Sequence, residues 1–112
     1  MKNTQDFLQK SKHPSAVVAC NDLMGIGCMD ALREYGLRVP EDVSIITLDN
    51  TDYCTCAYPK LTSVDMMQEQ IGQNAAAMIM ERIKDGRNYK KITVLEPRIV
   101  ERDSVIAFES VD

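Results

Sequence analysis

The hydrophobic residues of this chain fall into two short apolar runs separated by an amphipathic stretch. Residues 16–20 (AVVAC) and 43–48 (VSIITL) are typical of strands that are buried on both faces of a parallel sheet. Apolar positions recur at helical spacing between these runs, at Met24, Cys28, Ala31 and Tyr35. A strand, a helix and a second strand joined by short links predict a right-handed βαβ unit.

The ends of this first helix carry their own signals. Asn21 and Asp22 directly follow the first apolar run, and both are residue types that cap helix N-termini. Gly36 suits the left-handed position that ends a helix. Gly25 and Gly27 resemble part of a dinucleotide-binding loop, but they fall inside the helix and no third glycine follows. Close packing of the helix on the sheet explains these glycines better.

The second half of the chain predicts a long helix. Residues 61–64 suit a short extended segment, and residues 65–85 have the pattern of a helix in which Asp65 and Gln68 are spaced as a capping box. Gly86 suits its C-terminal end. An apolar stripe follows the helical period, at Met67, Ile71, Ala75, Met78, Ile79 and Ile83.

Weaker patterns predict further elements near the two ends of the chain. Residues 92–95 and 99–100 have strand composition, and Pro97 between them indicates an edge or a break. Residues 105–108 suit a last strand. A short helix of weak pattern is predicted at residues 4–12.

Composition and charge limit the functional classes. The chain has 112 residues, 45% of them hydrophobic, and a formal net charge of −4, which fits one small globular domain and argues against direct binding to nucleic acid phosphates. No apolar run is long enough for a bilayer span, and the polar N-terminus lacks a secretory signal. We therefore expect a cytoplasmic protein whose four cysteines are reduced. Cys20 and Cys28 lie on apolar segments and are expected to be buried. No Cys or His pattern indicates a metal, and no cofactor is expected.

Polar side chains follow each of the two predicted strands. Asn21 and Asp22 follow the first strand, and Asp49 and Asn50 follow the second. Ligands gather beyond the carboxyl ends of parallel strands, so we expect Asn21 and Asp49 at one edge of the sheet. An amide and a carboxylate suit the hydroxyls of a sugar or the polar edge of a purine. Helix capping by Asn21 and loop chemistry at Asp49 are the competing structural explanations.

An alternative from another class is a phospho-accepting or enzyme-like α/β domain that uses Asp49. Such a site needs further carboxylates for Mg²⁺, which Asp22 and Asp52 could supply. It also needs a lysine at a neighbouring strand end, and no suitably placed lysine is found.

Several segments in order resemble one known family. Residues 15–50 (SAVVACNDLMGIGCMDALREYGLRVPEDVSIITLDN), 58–64 (YPKLTSV) and 97–104 (PRIVERDS) are together similar to the C-terminal part of LacI/GalR-family bacterial transcription regulators. The resemblance implies an α/β fold, namely a truncated, parallel-sheet C-terminal subdomain of the type I periplasmic-binding-protein-like fold.

The resemblance also implies a function. Regulators of this family enclose a small effector, usually a sugar or sugar phosphate and sometimes a purine, between two subdomains. Operator DNA is bound by a separate N-terminal helix-turn-helix domain, which this chain lacks. The expected function is therefore effector sensing in a repressor-type regulator, without catalysis.

Particular residues carry over from the family to this sequence. The resemblance places Asn21 and Asp49 at effector-contacting positions, and Gln68 where the family lines the opposite wall of the cleft. Two positions depart from the family pattern: Thr47 stands where a glycine is common, and Asn50 where a second aspartate is common.

The family topology implies how the chain is divided. Residues 13–64 and 96–112 would belong to the C-terminal subdomain, while residues 65–95 would cross over and dock on an N-terminal subdomain. Without that subdomain the apolar stripe of the long helix needs another cover, because an exposed patch of that size favours association. We expect a homo-oligomer, with exchange of the 65–86 helix as one arrangement.

Overall fold

The computed structural model describes residues 13–108, and a four-stranded sheet of order β1-β2-β3-β4 lies at its centre. Strand β2 pairs in parallel with β1 and with β3, whereas β4 pairs antiparallel with β3. The predicted parallel sheet is confirmed for three strands, and the antiparallel fourth makes the sheet mixed. The helix predicted at residues 4–12 lies outside the described residues. The strands are β1 (Ala16–Val18), β2 (Ser44–Leu48), β3 (Thr62–Asp65) and β4 (Arg98–Val100).

Three helices connect these strands. They are α1 (Asp22–Glu34), α2 (Tyr53–Cys56) and α3 (Gln68–Lys84). The predicted βαβ unit is β1-α1-β2, and its links are as short as the sequence indicates. The single turn of α2 lies between β2 and β3, where the hydrophobic pattern predicts no helix. Within residues 13–108, no helix combines the length and the apolar character needed to cross a membrane.

Helix α1 begins and ends where the sequence predicts. The Asn21 side-chain oxygen accepts the backbone N–H of Met24 at 2.9 Å, which satisfies one of the donors that a helix N-terminus leaves open. At the other end, Gly36 adopts a φ of +74°, and the N–H of Leu37 donates to the carbonyl of Leu32 at 2.9 Å. The glycine is needed there because its backbone is left-handed.

The hydrophobic core lies between α1 and one face of the sheet. It is a contiguous set of buried side chains at Cys28, Met29, Leu32, Val43, Ile45, Cys54 and Leu61. The opposite face is less covered by the described residues, since Val18 is 70% exposed and Ile99 is 60% exposed. The apolar run of β1 therefore does not correspond to burial on both faces here. Cys20, which was expected to be buried, is exposed because it lies beyond the end of β1.

Helix α3 is not packed against the core. None of its residues is buried, and Ile79 and Ile83 of the apolar stripe are 59% and 71% exposed. The predicted capping box is wrong: Asp65 belongs to β3 and its carboxylate accepts the N–H of Met67 at 2.8 Å. Met67 is left-handed, with a φ of +59°, and provides no side-chain cap. The helix consequently begins at Gln68.

Two of the strands predicted near the C-terminus do not form in the described part of the chain. Ile92 and Val94 are 86% and 85% exposed, and residues 92–95 pair with no strand among residues 13–108. Residues 105–108 form no ladder, although the N–H of Ile106 donates to the Ser44 hydroxyl at 3.1 Å. An apolar run becomes a strand only where a partner strand satisfies its backbone groups.

Gly25 is a position where α1 lies close against the sheet, and it yields a test of the packing. A Cβ added there would lie 2.3 Å from Cγ2 of Thr47, so we expect Gly25→Ala to lower the free energy of unfolding by about 1–3 kcal/mol. Adding Thr47→Ser removes the opposing methyl and should recover part of this loss. Chemical denaturation measures both effects.

Gly72→Ala is the matched control for this test. Gly72 lies in α3 and has nothing within 4 Å of its would-be Cβ, so alanine there should stabilise the helix by about 0.5–1 kcal/mol. Equal effects of the two substitutions would contradict the close approach of α1 to β2.

Candidate functional site

Asp22, the first residue of α1, is a buried carboxylate that joins four parts of the fold. It is 2% exposed. One carboxylate oxygen accepts the hydroxyls of Thr47 on β2, at 2.5 Å, and of Ser63 on β3, at 3.0 Å. The other oxygen accepts both the N–H and the hydroxyl of Thr51, each at 2.6 Å. Asp22 therefore fixes α1 to two strands and to the loop after β2.

These hydrogen bonds determine the ionisation state of Asp22. Burial by itself would raise its pKa, but the bonds from Thr47 and Thr51 together outweigh burial and lower the pKa from 3.8 to about 2. Burial, followed by the nearby Asp22 carboxylate, raises the pKa of the Cys54 thiol. At neutral pH the site thus contains an ionised Asp22 beside an uncharged Cys54.

The two residues after β2 form a strained turn, which we call the Asp49–Asn50 turn. Asp49 has a φ of +98° and Asn50 a φ of +53°, and residues other than glycine rarely adopt such positive values. The N–H of Asp49 donates to the carbonyl of Val64 at 3.0 Å, and the N–H of Asn50 donates to the Ser63 hydroxyl at 3.0 Å. Strain that surrounding bonds maintain in this way often marks a ligand site.

The structure brings two of the predicted site residues into contact. The side-chain amide nitrogen of Gln68 donates to the backbone carbonyl of Asp49 at 3.1 Å and lies 3.5 Å from its carboxylate oxygen Oδ1. Gln68 is exposed and Asp49 is partly buried. The first turn of α3 therefore lies directly against the Asp49–Asn50 turn.

Asn21 lies at the same edge of the sheet but makes a different contact. Val18 pairs with Ile46, and the N–H of Ala19 donates to the carbonyl of Ile46 at 2.9 Å. The residues that follow β1 and β2 therefore emerge at one edge, as the sequence predicts; we call it the carboxyl edge. The Asn21 side-chain oxygen caps α1, so capping is confirmed, while no contact within residues 13–108 joins Asn21 to Asp49 or Gln68.

The sequence does not identify several residues that support this edge. No motif marks Ser63 and Thr51, although hydroxyls inside or next to an apolar strand often belong to an internal hydrogen-bond network. Arg102 lies in the PRIVERDS segment, where the pattern assigns it no role, and its Nη2 donates to the Asn50 side-chain oxygen at 2.7 Å. Both departures from the family pattern are explained by contacts, since the Thr47 hydroxyl bonds Asp22 and the Asn50 amide bonds Arg102.

The arrangement does not favour the phospho-accepting alternative. Both oxygens of Asp22 are occupied by hydroxyl and N–H donors, so this carboxylate is not available to Mg²⁺. Within the described residues, no three His, Cys, Asp or Glu side chains are grouped as a metal site. What the carboxyl edge offers is a carboxylate and two amides, which can bind polar groups of a small molecule.

Comparison with known proteins gives the family. Residues 1–105 match the family of periplasmic binding protein-like domains. The chain is 42% identical to the HTH-type transcriptional repressor PurR of Vibrio cholerae over 99 residues, which are 88% of this chain and 30% of that protein. It is 35% identical to PurR of Aliivibrio salmonicida over 104 residues, 93% of this chain and 31% of that protein. The chain thus spans about a third of the length of these relatives.

Solved structures of LacI-type regulators share the fold. The lac repressor dimer bound to operator and the anti-inducer ONPF matches with a TM-score of 0.85 and 29% identity, over 95% of this chain and 37% of that one. The transcriptional regulator CelR in its cellobiose complex matches with a TM-score of 0.84 and 33% identity, over 90% and 31%. A LacI-type regulator from Bifidobacterium animalis subsp. lactis matches with a TM-score of 0.87 and 30% identity, over 95% and 38%.

These matches define the class of protein. The chain belongs to the periplasmic binding protein-like domain family. Its relatives in that family are transcriptional repressors of the LacI/PurR type and not enzymes, and the chain corresponds to the C-terminal region of their effector-binding domain.

The lowered pKa of Asp22 predicts a pH-dependent stability. Because its folded pKa of about 2 lies below the ordinary value of 3.8 that applies to the unfolded chain, ionised Asp22 stabilises the fold above about pH 4. This stabilisation, about 2 kcal/mol for such a shift, is lost as the pH falls towards 2. We expect Asp22→Asn to be at least this much less stable at pH 7, with the difference shrinking in acid, when unfolding is measured across pH.

Asp30→Asn serves as the matched control for Asp22→Asn. Asp30 lies on the exposed side of α1 and makes a 3.4 Å ion pair with Arg33, so its removal should change stability little. A pH-independent difference between wild type and Asp22→Asn would contradict the ionised network.

Proposed function

We propose that the chain is the effector-sensing part of a LacI/GalR-type repressor and that Asn21, Asp49 and Gln68 contact the effector. The observation that carries this proposal is the carboxyl edge, where Gln68 is hydrogen-bonded to Asp49 on a strained, preorganised turn. Open α/β sheets bind ligands beyond this edge of their strands.

The chemistry of the edge indicates what kind of effector would bind. The Asp49 carboxylate accepts hydrogen bonds, and the amides of Asn21 and Gln68 can donate them. Since Oδ1 of Asn21 caps α1, its Nδ2 group is the part that would face a ligand. This combination suits a sugar, a sugar phosphate or a purine, and the solved relative CelR is a complex with cellobiose.

The proposed division of the chain implies a second subdomain that would form the opposite wall of the effector cleft. In this proposal residues 13–64 and 96–112 would belong to one subdomain, and residues 65–95 would cross to another subdomain that faces the effector from the opposite side. Two observations support this division: α3 has no buried residue, and the apolar residues 92–95 have no strand partner among the described residues. With one wall only, the isolated chain should bind effector weakly.

The proposed mechanism is a population shift without catalysis. An effector bound at the carboxyl edge favours one arrangement of two subdomains, and that arrangement determines how separate helix-turn-helix domains are presented to operator DNA. This role places the protein in the cytoplasm, where its thiols stay reduced.

Substitution of Asp49 tests the assigned site in a full-length regulator that contains this chain. We expect Asp49→Ala to raise the effector concentration for half-maximal response by about tenfold or more, because a charged hydrogen bond contributes about 1.5–3 kcal/mol. The probes are cellobiose, glucose 6-phosphate and hypoxanthine, and the readout is operator release or retention as probe is added. The melting temperature should stay close to that of the wild type, since Asp49 lies outside the core.

Asn21→Asp separates binding from capping in the same assay. Aspartate caps a helix as well as asparagine does but lacks the amide donor, so stability should be kept while the response weakens. An unchanged response in Asp49→Ala to a probe that acts on the wild type would rule out the assigned site.

The exposed stripe of α3 predicts self-association of the 112-residue chain. Ile71, Ile79 and Ile83 are 50%, 59% and 71% exposed, and burying such a stripe against a second copy removes apolar surface from water. We expect twice the monomer mass by size-exclusion chromatography with light scattering at micromolar concentration. Ile79→Glu with Ile83→Glu should give monomers, whereas Gln73→Glu, an exposed polar control on the same helix, should not. A stable wild-type monomer would contradict the proposal.

A further inference from the structure

We propose that Arg102 is a positioning residue of the effector site. Its guanidinium holds the Asn50 side chain and thereby fixes the backbone conformation that orients the side chain of Asp49. This inference rests on the proposed function, since it concerns the same site. It adds a residue that is outside the predicted effector contacts and that acts on the site through another side chain.

The contacts of Arg102 place its guanidinium between two segments. Its Nη1 donates to the backbone carbonyl of Leu61 at 2.7 Å, and its Nη2 donates to the side-chain oxygen of Asn50 at 2.7 Å. Its own backbone N–H donates to the Thr62 hydroxyl at 2.9 Å. Two hydrogen bonds therefore anchor the arginine at the start of β3, and its Nη2 group reaches the Asp49–Asn50 turn.

The turn needs such a support because its conformation is unfavourable by itself. Two successive residues other than glycine have positive φ, which costs about 1–3 kcal/mol each and persists only where the surroundings maintain it. The Val64 carbonyl accepts the N–H of Asp49, and the Ser63 hydroxyl accepts the N–H of Asn50. Among residues 13–108, the Arg102 guanidinium is the group that holds the side chain of Asn50. A charge-assisted bond to a planar, rigid donor is suited to that task.

The bond from Arg102 to Asn50 also connects the turn to the segment that follows β4. Arg102 lies two residues beyond the end of β4, the strand by which the chain returns from residues 65–95. Within the described residues, the bond from Arg102 to Asn50 is the side-chain contact that links this returning segment to the Asp49–Asn50 turn. A displacement of β4 would reach the effector site through this bond.

Amide hydrogen exchange of the 112-residue chain tests this inference without any effector. We expect Arg102→Gln to speed exchange at the N–H groups of Asp49 and Asn50 by about tenfold or more, while exchange in α1 stays within about twofold. Arg102→Lys should not restore protection, since an ammonium lacks the planar fork that bonds both Leu61 and Asn50. Arg98→Gln removes the same charge from an exposed position of β4 and should leave the turn unchanged.

Substitutions of Asn50 test the same hydrogen bond from the acceptor side. They allow the positioning role to be tested even if Arg102→Gln does not fold. Asn50→Gly tolerates the positive φ but removes the acceptor, so exchange at Asp49 should rise as in Arg102→Gln. Asn50→Asp keeps an acceptor and should keep the protection. Combining Arg102→Gln with Asn50→Gly should add little to either change alone, because both remove one interaction.

The outcomes separate this inference from the proposed function. Unchanged exchange at the turn in folded Arg102→Gln, or an equal rise throughout α1 and the sheet, would overturn the positioning role. Neither result bears on the effector response of Asp49→Ala. In the full-length regulator, Arg102→Gln should weaken the response to an active probe by about tenfold and should have no further effect once Asp49→Ala is present.

Discussion

The described fold depends on one buried carboxylate. Asp22 stands at the start of α1 and accepts hydrogen bonds from β2, from β3 and from the loop after β2. The buried hydroxyls of Thr47 and Ser63 would lose this acceptor if the carboxylate were absent, and an unpaired buried polar group costs free energy. The same side chain therefore sets the junction of helix and sheet and anchors the Thr51 end of the loop that carries the candidate site.

That loop shows how a stable network can maintain a strained turn. Thr51 is bonded to Asp22, Asn50 to Ser63 and Arg102, and Asp49 to Val64. With both ends and one side chain held, two residues remain in left-handed conformations that an isolated chain would leave. A ligand site that is fixed before the ligand arrives loses less entropy on binding, which agrees with the role proposed for this turn.

The long helix and the apolar segment after it differ from the rest of the fold. Helix α3 contributes Gln68 to the carboxyl edge at its first residue, but its remaining length is unburied. The structure extends 60 × 30 × 25 Å, which is elongated for its size. A helix and an apolar segment that lack a packing partner would be expected where one subdomain meets another. The family to which the chain belongs, and the greater length of its relatives, agree with that interpretation.

The sequence by itself determined the local elements and the family. The Asn21 cap and the Gly36 terminus follow from spacing and residue type, because neighbouring residues produce them. The strand–helix–strand pattern also predicts a parallel pair, whose carboxyl ends share one edge, as Asn21 and Asp49 do. Only the tertiary structure decided that Asp65 belongs to β3 and not to a capping box. It also decided the hydrogen-bond partners, which are Asp22 with Ser63 and Arg102 with Asn50. These pairs lie 41 and 52 residues apart, and whether residues 92–95 become a strand depends on a neighbour. Sequence patterns report what a segment can form, whereas long-range hydrogen bonds and coverage of apolar faces depend on which surfaces the folded chain brings together.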